Sequence, residues 1–191
     1  MSTNYYDSEK FVNEYVQMAA DVDSHSLIRE FEQYLTARSK VLEIGTGPGT
    51  DYAILSKRFD VLGSDYSVSF LNYLNKKYPK GRFIELNAIT LDIDQSFDGI
   101  YSNKVLHHLS DKDLRTSISR QASILQPGGV IGHSFWKGEG DELFKGMLVN
   151  YQNKASFQAL FGKYFDILLL KDYTEFEEND SIFLVARKKS K

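Results

Sequence analysis

The 191-residue sequence contains no cysteine, which excludes disulfides, thiolate metal sites and a cysteine nucleophile. It also lacks an excess of basic charge: 23 Lys and Arg stand against 26 Asp and Glu, a formal net charge of −3. Nucleic acid as the main partner favours a basic surface, so that partner is disfavoured. No apolar run approaches the roughly 20 residues needed to span a bilayer, so no membrane association is expected. The first residues, Met1 to Asp7, show neither the basic nor the apolar region of a secretory leader, and a cytoplasmic protein is the expectation. There is no internal repeat and no low-complexity segment. A hydrophobic share of 42% is enough for one globular domain with a sizeable core.

The most informative stretch is Val41-Leu42-Glu43-Ile44-Gly45-Thr46-Gly47-Pro48-Gly49-Thr50. It reads as an apolar strand that breaks into a glycine turn and opens a helix. Glycine tolerates positive φ and has no side chain, so the backbone can turn sharply and lie against a ligand. The dinucleotide fingerprint G-x-G-x-x-G needs its third glycine where Thr50 stands; the pattern here is G-x-G-x-G, with the acid Glu43 two residues ahead. Asp65 ends the next strand about twenty residues after Gly45, the separation at which a strand–helix–strand unit places an acid on ribose hydroxyls.

Around this unit the chain alternates. Stripes at spacings of three and four predict helices over 8–20 (Phe11, Val12, Tyr15, Val16, Ala19) and around Leu27, Ile28, Phe31, Tyr34 and Leu35. These precede the first strand and serve as cover or lid; the second reads as cover, the first, with its tyrosines, as lid. Further helices are expected over 51–58, behind Ser67, behind Ser110, and from Lys154 to Tyr164, with strands at 60–65, 82–86, 97–103 and 130–135. Residues 136–152 lack a clear period. The end changes in kind: strands 165–170 and 181–186 have no helix between them, only an acidic linker from Thr174 to Asp180, so they must pair antiparallel. The five alternating strands predict a parallel sheet covered on both faces.

These features resemble the class I S-adenosylmethionine-dependent methyltransferases. The resemblance rests on E-I-G-T-G-P-G, Asp65, the turn Pro127-Gly128-Gly129 before strand five, and the antiparallel strand at the end, and it spans residues 40–189. It implies an α/β, doubly wound, Rossmann-like fold: a seven-stranded sheet, mostly parallel with one antiparallel strand, and helices on both faces. Residues 1–38 would then be a helical lid or cover and 39–191 the cofactor-binding domain, the whole forming one compact unit.

The resemblance further implies S-adenosylmethionine as cofactor, S-adenosylhomocysteine as its product, and a cofactor site built from Glu43, Gly45, Thr46, Gly47, Gly49, Asp65, Tyr66, Asn87, Ala88 and Asn103. Asp65 would take the ribose hydroxyls; Tyr66, Ala88 and Ile89 the adenine faces; Asn87 its edge. Aromatic faces stabilise a cation, which makes Tyr5, Tyr6 and Tyr15 candidates for the sulfonium and the pocket, with His133 and Trp136 on the opposite rim. His107 and His108, in Asn103-Lys104-Val105-Leu106-His107-His108-Leu109, are candidate general bases. Adjacent histidines without a third ligand do not make a metal site. Asn103 does not open an Asn-Pro-Pro-Tyr motif, which argues against exocyclic base amines and glutamine amides as acceptors. The expected reaction is methyl transfer to oxygen or nitrogen, or to carbon, of a small molecule. Two alternatives remain: a catalytically silent cofactor binder acting through a partner, and a nucleotide-dependent oxidoreductase. Oligomeric state is not legible in the sequence.

Overall fold

The computed structural model describes residues 9–18, 24–144 and 146–190. Among them the helices are α1 (Glu9–Met18), α2 (His25–Glu32), α3 (Thr50–Leu55), α4 (Val68–Lys77), α5 (Asp111–Ile124) and α6 (Lys154–Phe161). The strands are β1 (Lys40–Ile44), β2 (Asp60–Asp65), β3 (Phe83–Glu85), β4 (Phe97–Asn103), β5 (Leu125–Trp136), β6 (Asp141–Phe144), β7 (Met147–Asn150), β8 (Phe165–Tyr173) and β9 (Ser181–Lys188).

Seven strands form one sheet in the order β3-β2-β1-β4-β5-β9-β8, and β6 and β7 form a separate hairpin. β1 pairs parallel with both β2 and β4, and β9 runs antiparallel between β5 and β8. This is the mostly parallel, doubly wound sheet that the sequence implies. The chain leaves β1 toward β2 and β3, then crosses back to β4 on the other side. That reversal makes the carboxyl ends of β1 and β4 the topological switch point, where open α/β sheets bind ligands.

Parallel strands buried on both faces read as continuous apolar runs, and β1 does: Val41 and Leu42 are fully buried, Glu43 and Ile44 nearly so. One face packs Leu114, Ile118 and Ala122 of α5 with Phe157, Leu160 and Phe161 of α6. The other packs Leu27, Ile28 and Phe31 of α2 with Tyr52 and Leu55 of α3. Phe31 lies flat enough on the sheet that a Cβ on Gly132 would sit 2.6 Å from its ring.

Three differences from the sequence reading have local causes. Residues 136–152, without a visible period, contain the β6–β7 hairpin, whose first strand is exposed throughout and so carries no burial pattern to read. β5 begins at Leu125, because Leu125 pairs with Phe97 before the Pro127-Gly128-Gly129 turn bulges out and pairing resumes at Gly99–Val130. The helix after the glycine turn is shorter than 51–58, running Thr50–Leu55. Among the described residues no helix is long and apolar enough to cross a membrane.

Candidate functional site

The glycine turn is zipped to β2 by Thr46. Its N–H donates to the Ser64 carbonyl at 2.8 Å, and its hydroxyl accepts from the Ser64 N–H at 2.9 Å and donates to Glu43 at 3.2 Å. Gly45 sits at φ +68°, where a Cβ would meet Val105 at 2.5 Å; Gly47 sits at φ +51° with nothing nearer to its Cβ position than 4.0 Å. The first glycine is needed for contact and conformation, the second for conformation and for the open space above it. Asp65 braces the turn: one carboxylate oxygen accepts from Gly47 N–H and the other from Ser67 N–H, both at 2.9 Å. Burial raises its pKa, and these backbone bonds oppose the shift.

Two chambers open over this turn. The larger, about 440 Å³, is lined by Asp65, Tyr66, Asn87, Ala88, Ile89 and His108 among others. The smaller, about 130 Å³, is lined by Glu43, Thr46, Asp51, Asn103 and Glu175 among others. Tyr15, Gly45, Gly47, Lys104 and Val105 belong to both and form the wall where they meet. A third cavity, about 320 Å³ and lined by residues 34–39, Asp98 and 126–129, lies at the opposite end of the strands and contains none of the glycine-turn residues and not Asp65.

The smaller chamber is acidic. Glu43 is 3% exposed; burial pushes its carboxyl well up and Asp51 pushes it further, against the Thr46 hydrogen bond. Asp51, also buried, accepts a hydrogen bond from the Ser24 hydroxyl, and burial raises its pKa too. Burial strips such carboxyls of hydration, and a cation bound beside them favours their charged form again. Tyr15 reaches over from α1, packs edge-on against Phe70 with ring centroids 5.7 Å apart, and feels Asp65, Asp51 and Glu175 at its hydroxyl.

The sequence reading did not single out Asp51, Lys104 or Glu175. Asp51 follows the motif directly, but only the fold shows it turned inward. Glu175 comes from the linker between β8 and β9, far off in the chain. Lys104 has a positive φ of 53°, and its N–H donates to Ser134 Oγ at 2.8 Å while that hydroxyl donates to Asn103. Its amine lies 3.0 Å from the Trp136 ring centroid, donates to Ser181 Oγ at 2.6 Å, and stands 3.8 Å from Glu175.

The remaining predicted residues separate. His108 lines the larger chamber, and its Nδ1 lies 2.7 Å from the Leu148 carbonyl, an acceptor only. Nδ1 therefore carries the proton and Nε2 offers a lone pair, with burial lowering the ring's pKa. His107 is buried behind it, 3% exposed, and lines neither chamber. His133 is not a pocket wall: fully buried, it is bonded to Ser102 and to Gln121, both at 2.8 Å, and burial holds its pKa down at about 3. Trp136 stands one layer back, against Lys104 and stacked on Phe176. Gly49 lines neither chamber; it packs where a Cβ would strike Leu74 and Tyr78 at 2.7 Å. Asn87 lines the larger chamber, and its side-chain oxygen accepts from Ile89 N–H at 2.8 Å. Tyr5 and Tyr6 lie outside the described residues. Among the described residues no three His, Asp or Glu side chains gather as metal ligands.

Comparisons with known proteins bear on the domain and its fold. Residues 41–129 match the family model of a methyltransferase domain. A trans-aconitate 2-methyltransferase of Methylobacterium radiotolerans is 33% identical over 100 residues, covering 51% of this chain and 38% of that enzyme, so the chain spans about two fifths of its length. An uncharacterized methyltransferase of Oceanobacillus iheyensis is 28% identical over 156 residues, covering 73% and 68%. In fold, the chain is similar to the Burkholderia thailandensis 1,6-didemethyltoxoflavin-N1-methyltransferase, solved with its substrate and S-adenosylhomocysteine: TM-score 0.79, 19% identity, 95% of this chain and 85% of that one. Over residues 41–129 the chain thus matches a methyltransferase domain, and its whole fold is similar to that of solved S-adenosylmethionine-dependent methyltransferases.

Proposed function

We propose that the protein binds S-adenosylmethionine across the two chambers and transfers its methyl group to an oxygen or nitrogen of a small molecule, leaving S-adenosylhomocysteine. The observation that carries the reading is the meeting of the chambers above Gly47, with Asp65 on one side and Glu43 and Asp51 on the other. Adenosine fits the larger: Asp65 for the ribose hydroxyls, Tyr66, Ala88 and Ile89 for the ring faces, and the Asn87 amide nitrogen for the ring edge. The amino-acid end fits the smaller, its ammonium toward Glu43 and Asp51, with Asn103 and the glycine-turn backbone completing the seat. The sulfonium then falls at the shared wall, beside the face of Tyr15, where a cation–π contact is worth about 0.5–2 kcal/mol.

Methyl transfer is an in-line displacement, and the sulfonium already supplies the activation. Holding the nucleophile on the sulfur–methyl axis and excluding water carries much of the rate, since effective molarities reach about 10⁵ M or more in well-oriented cases. Of the two histidines, His108 suits contact with the acceptor: its Nε2 lone pair can receive a hydrogen bond from an O–H or N–H and so aim the nucleophile. In this reading α1 is the lid of the site, α2 is cover for the sheet, and residues 39–191 carry the cofactor. A small acceptor is in keeping with the substrates named for two of the similar enzymes, trans-aconitate and 1,6-didemethyltoxoflavin. The cytoplasm is the proposed place of action, on the sequence reading alone.

Titration calorimetry with S-adenosylmethionine and S-adenosylhomocysteine tests the cofactor. Both should bind, and Asp65→Ala should weaken both by about tenfold or more, because a bidentate charged acceptor and a brace of the turn are lost together. Unchanged affinity in that variant would remove Asp65 from the site. Transfer of labelled methyl from the cofactor to a panel of small O–H and N–H compounds tests the reaction.

A further inference from the structure

The wall shared by the chambers contains a lysine that the reading above leaves without a task. We propose that Lys104 handles the proton of the reaction: its amine stands uncharged while the sulfonium is bound and takes up the proton that a hydroxyl or amine acceptor gives up as it is methylated. This rests on the S-adenosylmethionine reading of the site. In the step, the methyl–sulfur bond breaks and its electrons stay on sulfur, which becomes a neutral thioether. The acceptor's lone pair forms the new bond to the methyl carbon, and the acceptor's proton passes to Lys104 Nζ. One positive charge is present before and after; it moves from sulfonium to ammonium.

Three observations place Lys104 in that role. It directly follows β4, and it lines both chambers at their junction. Its backbone is held at φ +53°, a conformation that costs an L side chain energy and that the Lys104–Ser134–Asn103 hydrogen bonds maintain. Its amine is enclosed, the side chain 11% exposed, by the Trp136 ring at 3.0 Å, Ser181 Oγ at 2.6 Å and the Tyr173 ring at 5.5 Å. The charged and titratable groups facing it are Glu175 and Asp180 from the 174–180 linker, His107 from the turn after β4, and Tyr173 from β8; Tyr15 of α1 shares its wall, Glu43 and Asp51 line the smaller chamber, and Asp65 and His108 the larger. Burial brings the amine's pKa down to about 7, against the pull of Glu175 and Asp180. A second cation in the same enclosure lowers it further, and the thioether product does not.

Calorimetric titration with S-adenosylmethionine and with S-adenosylhomocysteine, from pH 6 to 8.5 in two buffers of different ionisation heat, reads this coupling without an acceptor. At pH 6.5 binding of S-adenosylmethionine should release most of one proton more than binding of S-adenosylhomocysteine, since the ammonium that both carry acts alike on Glu43 and Asp51. Affinity for S-adenosylmethionine should fall, relative to that for S-adenosylhomocysteine, by up to about tenfold per pH unit below pH 7. Lys104→Met should abolish the difference. Lys104→Arg, permanently charged, should bind S-adenosylhomocysteine within about twofold of the wild type and S-adenosylmethionine about tenfold more weakly above pH 7. Equal proton release by the two ligands overturns the proposal. So does a difference that survives in Lys104→Met, which would belong to Glu43 or Asp51, or an equal effect of Lys104→Arg on both ligands. If neither ligand binds the wild type at any pH, the cofactor reading itself falls and this assignment with it.

Discussion

Three histidines that look alike in the sequence do different work because of what each nitrogen meets. His133 is fully buried with both nitrogens bonded: Nδ1 accepts from Ser102 Oγ and Nε2–H donates to Gln121. Its pKa of about 3 lies far below the usual histidine value of 6.5, since burial penalises the charged ring. Between those two values the unfolded chain takes up a proton that the folded one refuses. Its contribution is therefore complete above pH 6.5 and declines as pH falls toward 3, by at most about 1.4 kcal/mol per pH unit. His107 and His108, also shifted down by burial, add to the same slope. His133→Gln should be less stable than the wild type at pH 7, and its denaturant midpoint should fall less steeply between pH 6.5 and 4.5. Parallel slopes for the two proteins would mean that His133 is protonated in the fold. Glu43, Gly45, Gly47 and Asp65 are legible from the chain because one local unit, strand–turn–helix–strand, fixes them. The burial of His133, the enclosure of Lys104 and the arrival of Glu175 are set by contacts across 31 to 77 residues, which no local pattern encodes.

At the level of elements, the rim beyond the chambers is made of two short pieces that the sequence marks only as an aperiodic stretch and an acidic linker. The β6–β7 hairpin is docked by Asn150, whose amide donates to the Leu109 carbonyl at 3.0 Å and to Asp111 at 2.9 Å, and by the Leu148–His108 bond. The linker 174–180 is shaped by Asp180. Its carboxylate accepts from the N–H groups of Glu175, Phe176 and Glu177, each at 2.9 Å, and these bonds bring its pKa down to about 2. That brace sets Glu175 against the smaller chamber and Phe176 on Trp136, rings 5.8 Å apart and nearly parallel. Asp180→Ala removes these three charge-assisted backbone bonds and a fourth, from Ser181 Oγ at 2.7 Å, at once. Because the sequence has a single tryptophan, emission reports this corner alone. The variant should show red-shifted emission as Phe176 leaves Trp136, faster amide exchange over 174–180, and unchanged exchange in β1 and β4. An emission spectrum identical to the wild type would mean that the stacking stands without the brace.

Across the whole molecule, the alternation of five strands with helices and the two unlinked strands at the end were enough to predict a mostly parallel sheet with one antiparallel strand. The reason is that burial on both faces writes itself into β1 as an apolar run broken only by Glu43, and that strand and helix patterns alternate after it. The division of labour between the two N-terminal helices was less legible, because both show the same three-and-four spacing. The structure separates them by what they touch. α2 puts Leu27, Ile28 and Phe31 into the core, Phe31 at ring distances of 5.5 Å from Tyr101 and 6.3 Å from Phe59. α1 buries Val12 and lays Tyr15 over the glycine turn against Phe70 of α4. Truncation of a buried Leu, Ile or Phe costs about 2–5 kcal/mol each, so loss of three is comparable to the 5–15 kcal/mol that holds a typical domain. A chain beginning at residue 39 should therefore fail to melt cooperatively. A chain beginning at Ser24 keeps α2 and the Ser24–Asp51 bond, and should keep a cooperative melt within a few degrees of the full chain. Lacking Tyr15, it should bind S-adenosylmethionine about tenfold more weakly, with a smaller loss for S-adenosylhomocysteine, whose sulfur has no charge for the ring to stabilise. Equal affinity in the shorter chain would make α1 a bystander, and loss of its cooperative melt would make it part of the core.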